Sequence, residues 1–501
     1  MEELVVAAIT LCVALSLSID HILEFSAIVA LAAWAWFVES RQKGKNPYSS
    51  FRPGVSTGIF LGSITWPLVL ASRFNSSLDP ASTSKFSFWS ATLCSLRLLN
   101  FFSIDTSSVT LLGQSSLFDY FKGGIALFAL SIGFANATGF KDLIPIAVLA
   151  IQSCGSASFL RAILQNFPGC GTPGELILVA SGLALYGGNL LLTILGNPIH
   201  PLDCMLQVGV FGLSLMPPAY KCFLWLTRDS KTVSFAAAFL SIMLTIAPAW
   251  FRLVAGVHRH PVLWVVNFML EKPLLRFGLC LYWLAALCLL PYLYNIAKHN
   301  GAPQILVRKG YHILAVMMFV PAVLIEKEFL HLAFTVALVI FGLVEMLRIW
   351  QIPHIGPRIT EFMAVFADHR DSDKLIVSHF SLLLGCAVPV WFHHGWRLRP
   401  LATLAGILSI GIGDTMASYV GYNYGSWRIS STSKKTMEGT IAGIVSLGFS
   451  CALIQRLVSP ICFQTYQLAI PAVLAGLLEA YTSQMDNMFV PLVFYASFLA
   501  M

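Results

Sequence analysis

Residues 401–439 read LATLAGILSIGIGDTMASYVGYNYGSWRISSTSKKTMEG, an apolar run that passes into a polar stretch rich in Gly, Ser and Lys. A second apolar run, Met437–Leu457, follows directly. Both runs are close to the ~20 residues that a helix needs to cross a bilayer. The stretch therefore predicts two membrane-spanning helices joined by a polar loop, which we define as residues 421–439.

Composition extends this interpretation to the whole chain. The 501 residues are 57% hydrophobic and 11% charged, with a mean hydropathy of +0.76, whereas a soluble domain carries roughly 25% charged residues. Apolar runs recur throughout, among them Tyr311–Ile325 and Leu330–Leu347. We predict an all-α polytopic integral membrane protein with about 15 transmembrane helices. The formal net charge of +7 is modest and gives no reason to invoke nucleic acid.

The distribution of polar residues divides the chain into two regions. Residues 1–300 form a multi-span membrane region with few polar features, and residues 301–501 form a second membrane region that contains most of the polar clusters. We therefore expect the function to lie in the second region. The sequence gives no indication of an oligomeric state.

Lysines and arginines in short loops mark the cytosolic side of a membrane. Arg41, Lys43 and Lys45 follow the second apolar run, so we expect this loop to be cytosolic. The loop after the third apolar run contains Asn75-Ser76-Ser77, a glycosylation sequon, and would then be lumenal.

Asp414 is a lone carboxylate within an apolar run, and ionisable groups at membrane depth usually mark function. In a helix, Asp414, Ser418 and Gly421 share one face. Gly421 and Gly425 would let a ligand approach the backbone closely. A carboxylate in this setting is a candidate ligand for Mg²⁺.

The polar loop also carries three cations, Arg428, Lys434 and Lys435, among hydroxyl-bearing residues that include Ser433 and Thr436. Lysines at a helix N-terminus form an anion site, and with Mg²⁺ these groups suit a nucleoside triphosphate. Two alternatives stay open. The lysines could serve only as topology signals or lipid-headgroup contacts, and a glutamate in the first turn, here residue 438, could merely favour the helix dipole.

Six motifs together resemble the polyprenol (dolichol) kinase family, with related forms in phytol kinases and CTP:phosphatidate cytidylyltransferases. They are G-x-G-D-T-x-A-S at residues 411–418, G-x-x-x-G at 421–425, S-K-K-T-x-E-G at 433–439, R-K-G-Y-H at 308–312, R-D-S at 370–372 and L-E-A-Y-T-S-Q-M-D-N at 478–487. The motifs cover residues 301–501 in the order found in that family. The long N-terminal region is a feature that the shorter phytol kinases lack.

The resemblance implies a CTP-dependent kinase of the endoplasmic reticulum membrane that phosphorylates dolichol and so supplies the lipid carrier for protein glycosylation, with the polar loop facing the cytosol. We assign the candidate residues on this basis. Catalytic candidates are Asp414, Asp486, Lys435 and Glu438, of which Asp414, Glu438 and Asp486 are also the candidate ligands of Mg²⁺. Candidates for CTP binding are Gly421, Gly425, Arg428, Ser433, Lys434, Lys435, Thr436 and Gly439.

A further group of residues is expected to converge on the same cytosolic pocket, where dolichol would enter from the lipid bilayer. They are Arg308, Lys309, His312, Arg370, Asp371, Glu479 and Asn487. Asp486 is favoured over Asp371 as the base that accepts the hydroxyl proton, because it lies deeper in an apolar run. Ion pairs that only hold helices together, such as Arg370 with Glu479, are an equally weighted alternative.

Three other functions are compatible with parts of the pattern. A phytol kinase or another prenol kinase would use the same motifs. A cytidylyltransferase would use the same nucleotide loop, but its His-Gly-Gly and Asp-Arg-x-Asp pattern is replaced here by residues 479–487. A transporter would use the intramembrane charges as an ion pathway and should have repeated halves with matching broken helices, which the sequence does not contain.

Overall fold

The computed structural model describes residues 1–42, 51–52, 56–75, 81–103, 143–194, 199–289, 291, 304–364, 375–392, 400–430, 435–458 and 464–501. Every regular element in these ranges is helical, which confirms the all-α prediction. The chain forms two compact units. The first comprises Met1–Leu192 and His393–Met501, and the second comprises Thr193–Phe392.

The first unit begins with six described helices, one of which is almost entirely buried. They are α1 (Glu2–Leu15), α2 (Ile22–Gln42), α3 (Ile59–Ala71), α4 (Ala81–Ser103), α5 (Leu143–Asn166) and α6 (Pro173–Ile194). Helix α3 packs against α1, α2 and α4. It is apolar on all sides, and each of its residues except Trp66 is buried, as expected for a helix at the centre of a bundle.

The second unit is built around a long helix. Its elements are α7 (Pro201–Leu226), α8 (Lys231–Ser241), a π-helical turn (Ile242–Ile246), α9 (Ala247–Ala255), α10 (Pro261–Glu271), α11 (Pro273–Cys288), α12 (Gln304–Ile349), α13 (Gly356–Ala364) and α14 (Ser378–Phe392). Helix α7 packs against α8, α9 and α12. The rings of Tyr220 and Trp350 stack with their centroids 4.1 Å apart in this core.

Helix α12 has 46 residues, or about 69 Å at 1.5 Å per residue, roughly twice the thickness of a bilayer core. It is interrupted at Glu326, whose backbone is non-helical (φ −151°, ψ 77°). The interruption lies between the predicted spans Tyr311–Ile325 and Leu330–Leu347. The carboxylate of Glu326 pairs with Lys272 Nζ and Arg276 Nη2, each at 2.9 Å, so the buried carboxylate at the break is paired with two cations.

The first unit is completed by the C-terminal helices. They are α15 (Pro400–Leu408), a π-helical turn (Ser409–Asp414), α16 (Thr415–Tyr424), α17 (Met437–Val458), α18 (Thr465–Tyr481) and α19 (Asp486–Ala500). Helix α19 packs against α3, α15 and α18 and is buried from Met488 to Leu499. Helix α17 exposes Ile441, Val445, Phe449 and Leu453 at intervals of four residues, an apolar stripe suited to lipid.

Among the described residues, 8 helical segments are long and apolar enough to cross a membrane. One of them, Leu306–Ile349, is the interrupted helix that covers two predicted spans, and further apolar helices of 10–17 residues include α19. The polytopic membrane prediction is therefore confirmed. The number of about 15 spans stays a prediction, as does the division at residue 300.

Candidate functional site

Asp414 ends the π-helical turn between α15 and α16. Single π turns inside α-helices are frequent at functional sites. This turn contains Gly411 and Gly413 of the G-x-G-D run and packs against α17, α18 and α19. Asp414 is only 7% exposed. Its side chain is therefore enclosed by the first unit, where an ionised carboxylate is costly and marks a candidate site.

Glycines let α16 and α17 approach closely. A Cβ atom at Gly439 would lie 2.5 Å from the carbonyl oxygen of Ala417 and 3.0 Å from the Cα atom of Gly421. About one turn further along α17, a Cβ atom at Gly443 would lie 3.0 Å from the carbonyl oxygen of Gly413. Gly421 and Gly439, which the sequence assigned to nucleotide binding, thus also serve close helix packing.

Gly439→Ala is expected to lower the thermal stability of the purified protein, because the added methyl group forces α16 and α17 apart. Overpacking of this kind costs about 1–3 kcal/mol. Gly187→Ala is the matched control, since Gly187 lies inside α6 of the same unit and a Cβ atom there would have no neighbour within 4 Å. Equal melting temperatures for the two variants in a thermal unfolding assay would contradict the close approach.

The described part of the polar loop folds back on itself. Ile429 N donates a hydrogen bond to the carbonyl oxygen of Lys435 (3.1 Å), and Met437 N donates to that of Trp427 (2.8 Å). These bonds form a short antiparallel pair. Residues 425–430 and 435–436 consequently form an arm that leads into α17, with Arg428 exposed on it.

The carboxylate of Glu438 holds one side of this arm. Its Oε1 atom accepts hydrogen bonds from Ser426 N (3.0 Å), Ser426 Oγ (2.6 Å) and Trp427 N (3.1 Å). At the start of α17, Gly439 N donates to Thr436 Oγ1 (3.2 Å). Several backbone amides near the predicted anion site are thus already bonded within the protein. Neutralisation of phosphates here would depend chiefly on the lysine and arginine side chains.

Lys435 joins two of the sequence motifs. It stands just before α17, and its Nζ atom donates a hydrogen bond to the carbonyl oxygen of Glu479 near the end of α18. Glu479 and Lys435 are both half-buried. The polar loop and the 478–487 motif, more than 40 residues apart in sequence, therefore meet at one end of the first unit.

Asp486 and Asn487 open helix α19 at this same end. Asp486 Oδ1 accepts a hydrogen bond from Asn487 N (3.1 Å). Asp486 is half-buried and is the first residue of its helix, which differs from the expected position deep within an apolar run. The residue is therefore at the boundary of the unit, next to the 482–485 linker that connects α18 to α19.

The three predicted metal ligands, Asp414, Glu438 and Asp486, do not form one cluster. No group of three or more His, Cys, Asp or Glu residues that could hold a metal ion occurs in the described ranges. Along the axis of α17, Glu438 lies about 7.5 Å from Gly443, the residue of this helix that contacts Gly413. Mg²⁺ commonly takes one or two carboxylates together with substrate phosphates and water. Separate carboxylates fit that mode, and each ligand assignment stays a prediction.

The remaining pocket candidates lie elsewhere in the chain. Arg308, Lys309 and His312 belong to the first half of α12 in the second unit, where His312 is buried and the two cations are half-buried. Ser433, Lys434, Arg370, Asp371 and the sequon residues Ser76 and Ser77 lie outside the described residues. Their roles stay predictions.

Residues of the N-terminal region also contact the 478–487 motif, which the sequence interpretation missed. Thr482 Oγ1 donates a hydrogen bond to Glu2 (2.9 Å), the hydroxyl groups of Ser483 and Ser56 are 2.6 Å apart, and Met485 N donates to Glu175 (2.8 Å). The local sequence signal for one of these residues is the Thr-x-x-Glu pattern at 172–175, which predicts a helix cap but no contact with the motif. The 478–487 motif is therefore held partly by residues of the N-terminal region, and the expectation that the function lies in residues 301–501 stays a prediction.

Comparison with known proteins identifies the family to which this chain is similar. A family model described as dolichol kinase matches residues 157–451. Dolichol kinase EVAN of Arabidopsis thaliana is 34% identical, over 99% of this chain and 97% of that protein, and the dolichol kinase of Homo sapiens is 33% identical, over 66% and 65%. No solved structure matches. Because the family model covers more than half of the residues and the plant relative aligns with nearly all of them, this chain belongs to the dolichol kinase family.

Proposed function

We propose that this chain transfers the γ-phosphate of CTP to the terminal hydroxyl group of dolichol, giving dolichyl phosphate and CDP. Membership of the dolichol kinase family supports dolichol as the acceptor. The apolar helices suit a bilayer, in which a long isoprenoid alcohol dissolves. CTP as the donor follows from the resemblance of the loop motifs. The product would serve as the lipid carrier of protein glycosylation.

The observation that carries this proposal is the hydrogen bond from Lys435 to the carbonyl oxygen of Glu479. It brings a cationic loop suited to a triphosphate next to the end of α18, beside the lipid-facing helix α17. Phosphoryl transfer needs positioning and charge neutralisation more than a covalent nucleophile. A polar arm at the rim of an apolar bundle suits such a reaction, because CTP must approach from water and dolichol must approach from lipid.

In the reaction, the oxygen of the dolichol hydroxyl attacks the γ-phosphorus atom, and the bond from that phosphorus to the β–γ bridging oxygen breaks. The electron pair leaves with CDP. The hydroxyl proton passes to a base, for which Asp486 is our candidate because it lies beside the loop end of the unit. Lys435, Arg428 and Lys434 would neutralise the phosphates. Bound Mg²⁺ would supply further positive charge, with Asp414 as its candidate ligand.

The proposed orientation places the loop in the cytosol of a cell, with the protein in the endoplasmic reticulum membrane. Glu39, near the end of α2, accepts hydrogen bonds from Thr57 Oγ1 (3.0 Å) and Phe60 N (2.8 Å), and neighbouring Ser56 contacts Ser483. The end of α2 and the candidate site thus share one end of the unit. The basic residues that follow α2 favour the cytosolic side.

A radiolabel-transfer assay tests the function. The full-length protein in vesicles is given γ-labelled CTP or γ-labelled ATP with dolichol, phytol or phosphatidate as the acceptor. We expect label to enter dolichol from CTP at a rate at least about tenfold above every other pair. Preferred labelling of phytol would indicate another prenol kinase. With α-labelled CTP, transfer to phosphatidate would indicate a cytidylyltransferase instead.

A further inference from the structure

Helix α6 begins with a capping box at Thr172-Pro173-Gly174-Glu175. Thr172 N donates a hydrogen bond to Glu175 Oε2 (2.9 Å), and Glu175 N donates to Thr172 Oγ1 (3.2 Å). This reciprocal pair stabilises the start of the helix. Capping of α6 fully accounts for Oε2 of Glu175 and leaves Oε1 unexplained.

The second carboxylate oxygen of Glu175 connects two distant segments. Oε1 accepts a hydrogen bond from Arg52 Nη2 (2.7 Å) and another from Met485 N (2.8 Å). The Glu175 and Arg52 side chains are 4% and 7% exposed. A charge-assisted bond in such an enclosed place is stronger than one in water. Glu175 therefore fixes the backbone amide immediately before Asp486.

Gln484 reinforces the same connection. Its side-chain amide donates to the carbonyl oxygen of Ser56 (3.0 Å) and accepts a hydrogen bond from Thr172 Oγ1. Gly58 has φ +62°, and a Cβ atom there would collide with the side chain of Gln484. The 482–485 linker is thus hydrogen-bonded to Ser56, which lies just before α3, and to the start of α6.

We propose that Glu175 and Arg52 are positioning residues that hold the 482–485 linker, and with it Asp486, in the geometry required for phosphoryl transfer. The proposal deepens the proposed function and rests on it. Asp486 is half-buried at the first position of α19, so its direction depends on the backbone of Met485. The start of α6 would serve as a fixed support for a candidate catalytic carboxylate that lies more than 300 residues later.

The kinetic test uses full-length Glu175→Gln protein in vesicles with γ-labelled CTP and dolichol. We expect kcat to fall about ten- to a hundredfold, as a misplacement of ~1 Å can cause, while KM for CTP changes less than about twofold. Asp486→Asn should likewise lower kcat and leave KM for CTP nearly unchanged. An unchanged kcat in folded Glu175→Gln protein would overturn the proposal.

A double variant separates positioning from stability. Glu175→Gln leaves Arg52 buried without its charged partner, so its melting temperature should fall. Arg52→Met combined with Glu175→Gln removes both charges and should recover much of the melting temperature, yet kcat should stay low because Met485 N then bonds to a neutral amide oxygen, which holds it more weakly than a carboxylate. Recovery of kcat together with stability would mean that the ion pair only stabilises the fold.

The matched control is Gln152→Leu. Gln152 is buried in the same unit and bonds to Ser90 Oγ and to the carbonyl oxygen of Leu185 (3.3 Å), with no bond to the 482–485 linker in the described structure. It should lose stability and keep its kcat. An equal loss of kcat in this control would refute the positioning role.

Hydrogen exchange tests whether Glu175 holds Met485 N, and it does not require phosphoryl transfer. In Glu175→Gln protein, the amide of Met485 should exchange at least about tenfold faster than in the wild type, whereas Gln152→Leu should leave this rate unchanged. An unchanged exchange rate of the Met485 amide in Glu175→Gln protein would refute the claim that Glu175 holds the linker. A wild-type protein that labels no dolichol would refute the proposed function, and the exchange result would still decide whether Glu175 holds the linker.

Discussion

Asp414→Asn is expected to lower kcat for dolichol phosphorylation to below about a hundredth of the wild-type value while the protein stays folded. The substitution keeps the shape of the side chain and removes its charge. A charge that neutralises the reacting phosphates through Mg²⁺ is worth several kcal/mol, and each 1.4 kcal/mol corresponds to about a factor of ten. Activity should be measured over a range of Mg²⁺ concentrations, because any remaining activity should require more of the ion.

Asp203→Asn is the matched control for this experiment. Asp203 also lies within a membrane helix, α7, and it pairs with His331 Nε2 at 3.2 Å in the second unit. Its variant should keep most of the activity and its Mg²⁺ dependence. Retention of more than about a tenth of kcat in Asp414→Asn would be incompatible with an essential metal charge.

Lys435→Ala is expected to raise KM for CTP at least about tenfold with normal membrane insertion. Hydrogen bonds to charged groups contribute about 1.5–3 kcal/mol, and Lys435 is the cation that stands directly before α17. The measurement is a series of initial rates against CTP concentration at saturating dolichol. Lys434 lies beside Lys435 in the motif, so the double variant should bind CTP more weakly still.

The hydrogen bond from Lys435 to Glu479 offers a purely structural alternative, and Lys231→Ala is a control for it. Lys231 Nζ donates to the carbonyl oxygen of Trp350 (3.2 Å), so it too links a lysine side chain to the backbone near the end of a helix. Loss of that bond should leave KM unchanged. If Lys435→Ala loses thermal stability but binds CTP normally, the lysine only joins the loop to α18.

Local patterns in the sequence predicted the parts of the structure that depend on neighbouring residues. The boundary between Tyr311–Ile325 and Leu330–Leu347 was visible because charged residues interrupt an apolar run, and the structure breaks α12 at Glu326. The polar loop after α16 was visible for the same reason. Neither prediction needed information about tertiary contacts, because the bilayer constrains the length and polarity of each segment that crosses it.

Tertiary contacts explain what the sequence could not reveal. Thr172-Pro-Gly-Glu175 matches a capping box, which accounts for Glu175 without any partner outside α6. Its bond to Met485 depends on the packing of α6 against the linker. The π-helical turn at Ser409–Asp414 likewise has no side-chain signature of its own, because it is a change in backbone bonding. Both features determine where carboxylates of the candidate site lie.

The bond between Glu175 and Met485 joins residues 310 positions apart, and this separation affects how the protein is made. At about 5–20 residues per second, a ribosome needs roughly 15–60 s to travel that distance. The second unit is synthesised during this time, and the N-terminal helices still lack their contacts with the 482–485 linker. The first unit can therefore be completed only late in synthesis, because it includes residues 393–501.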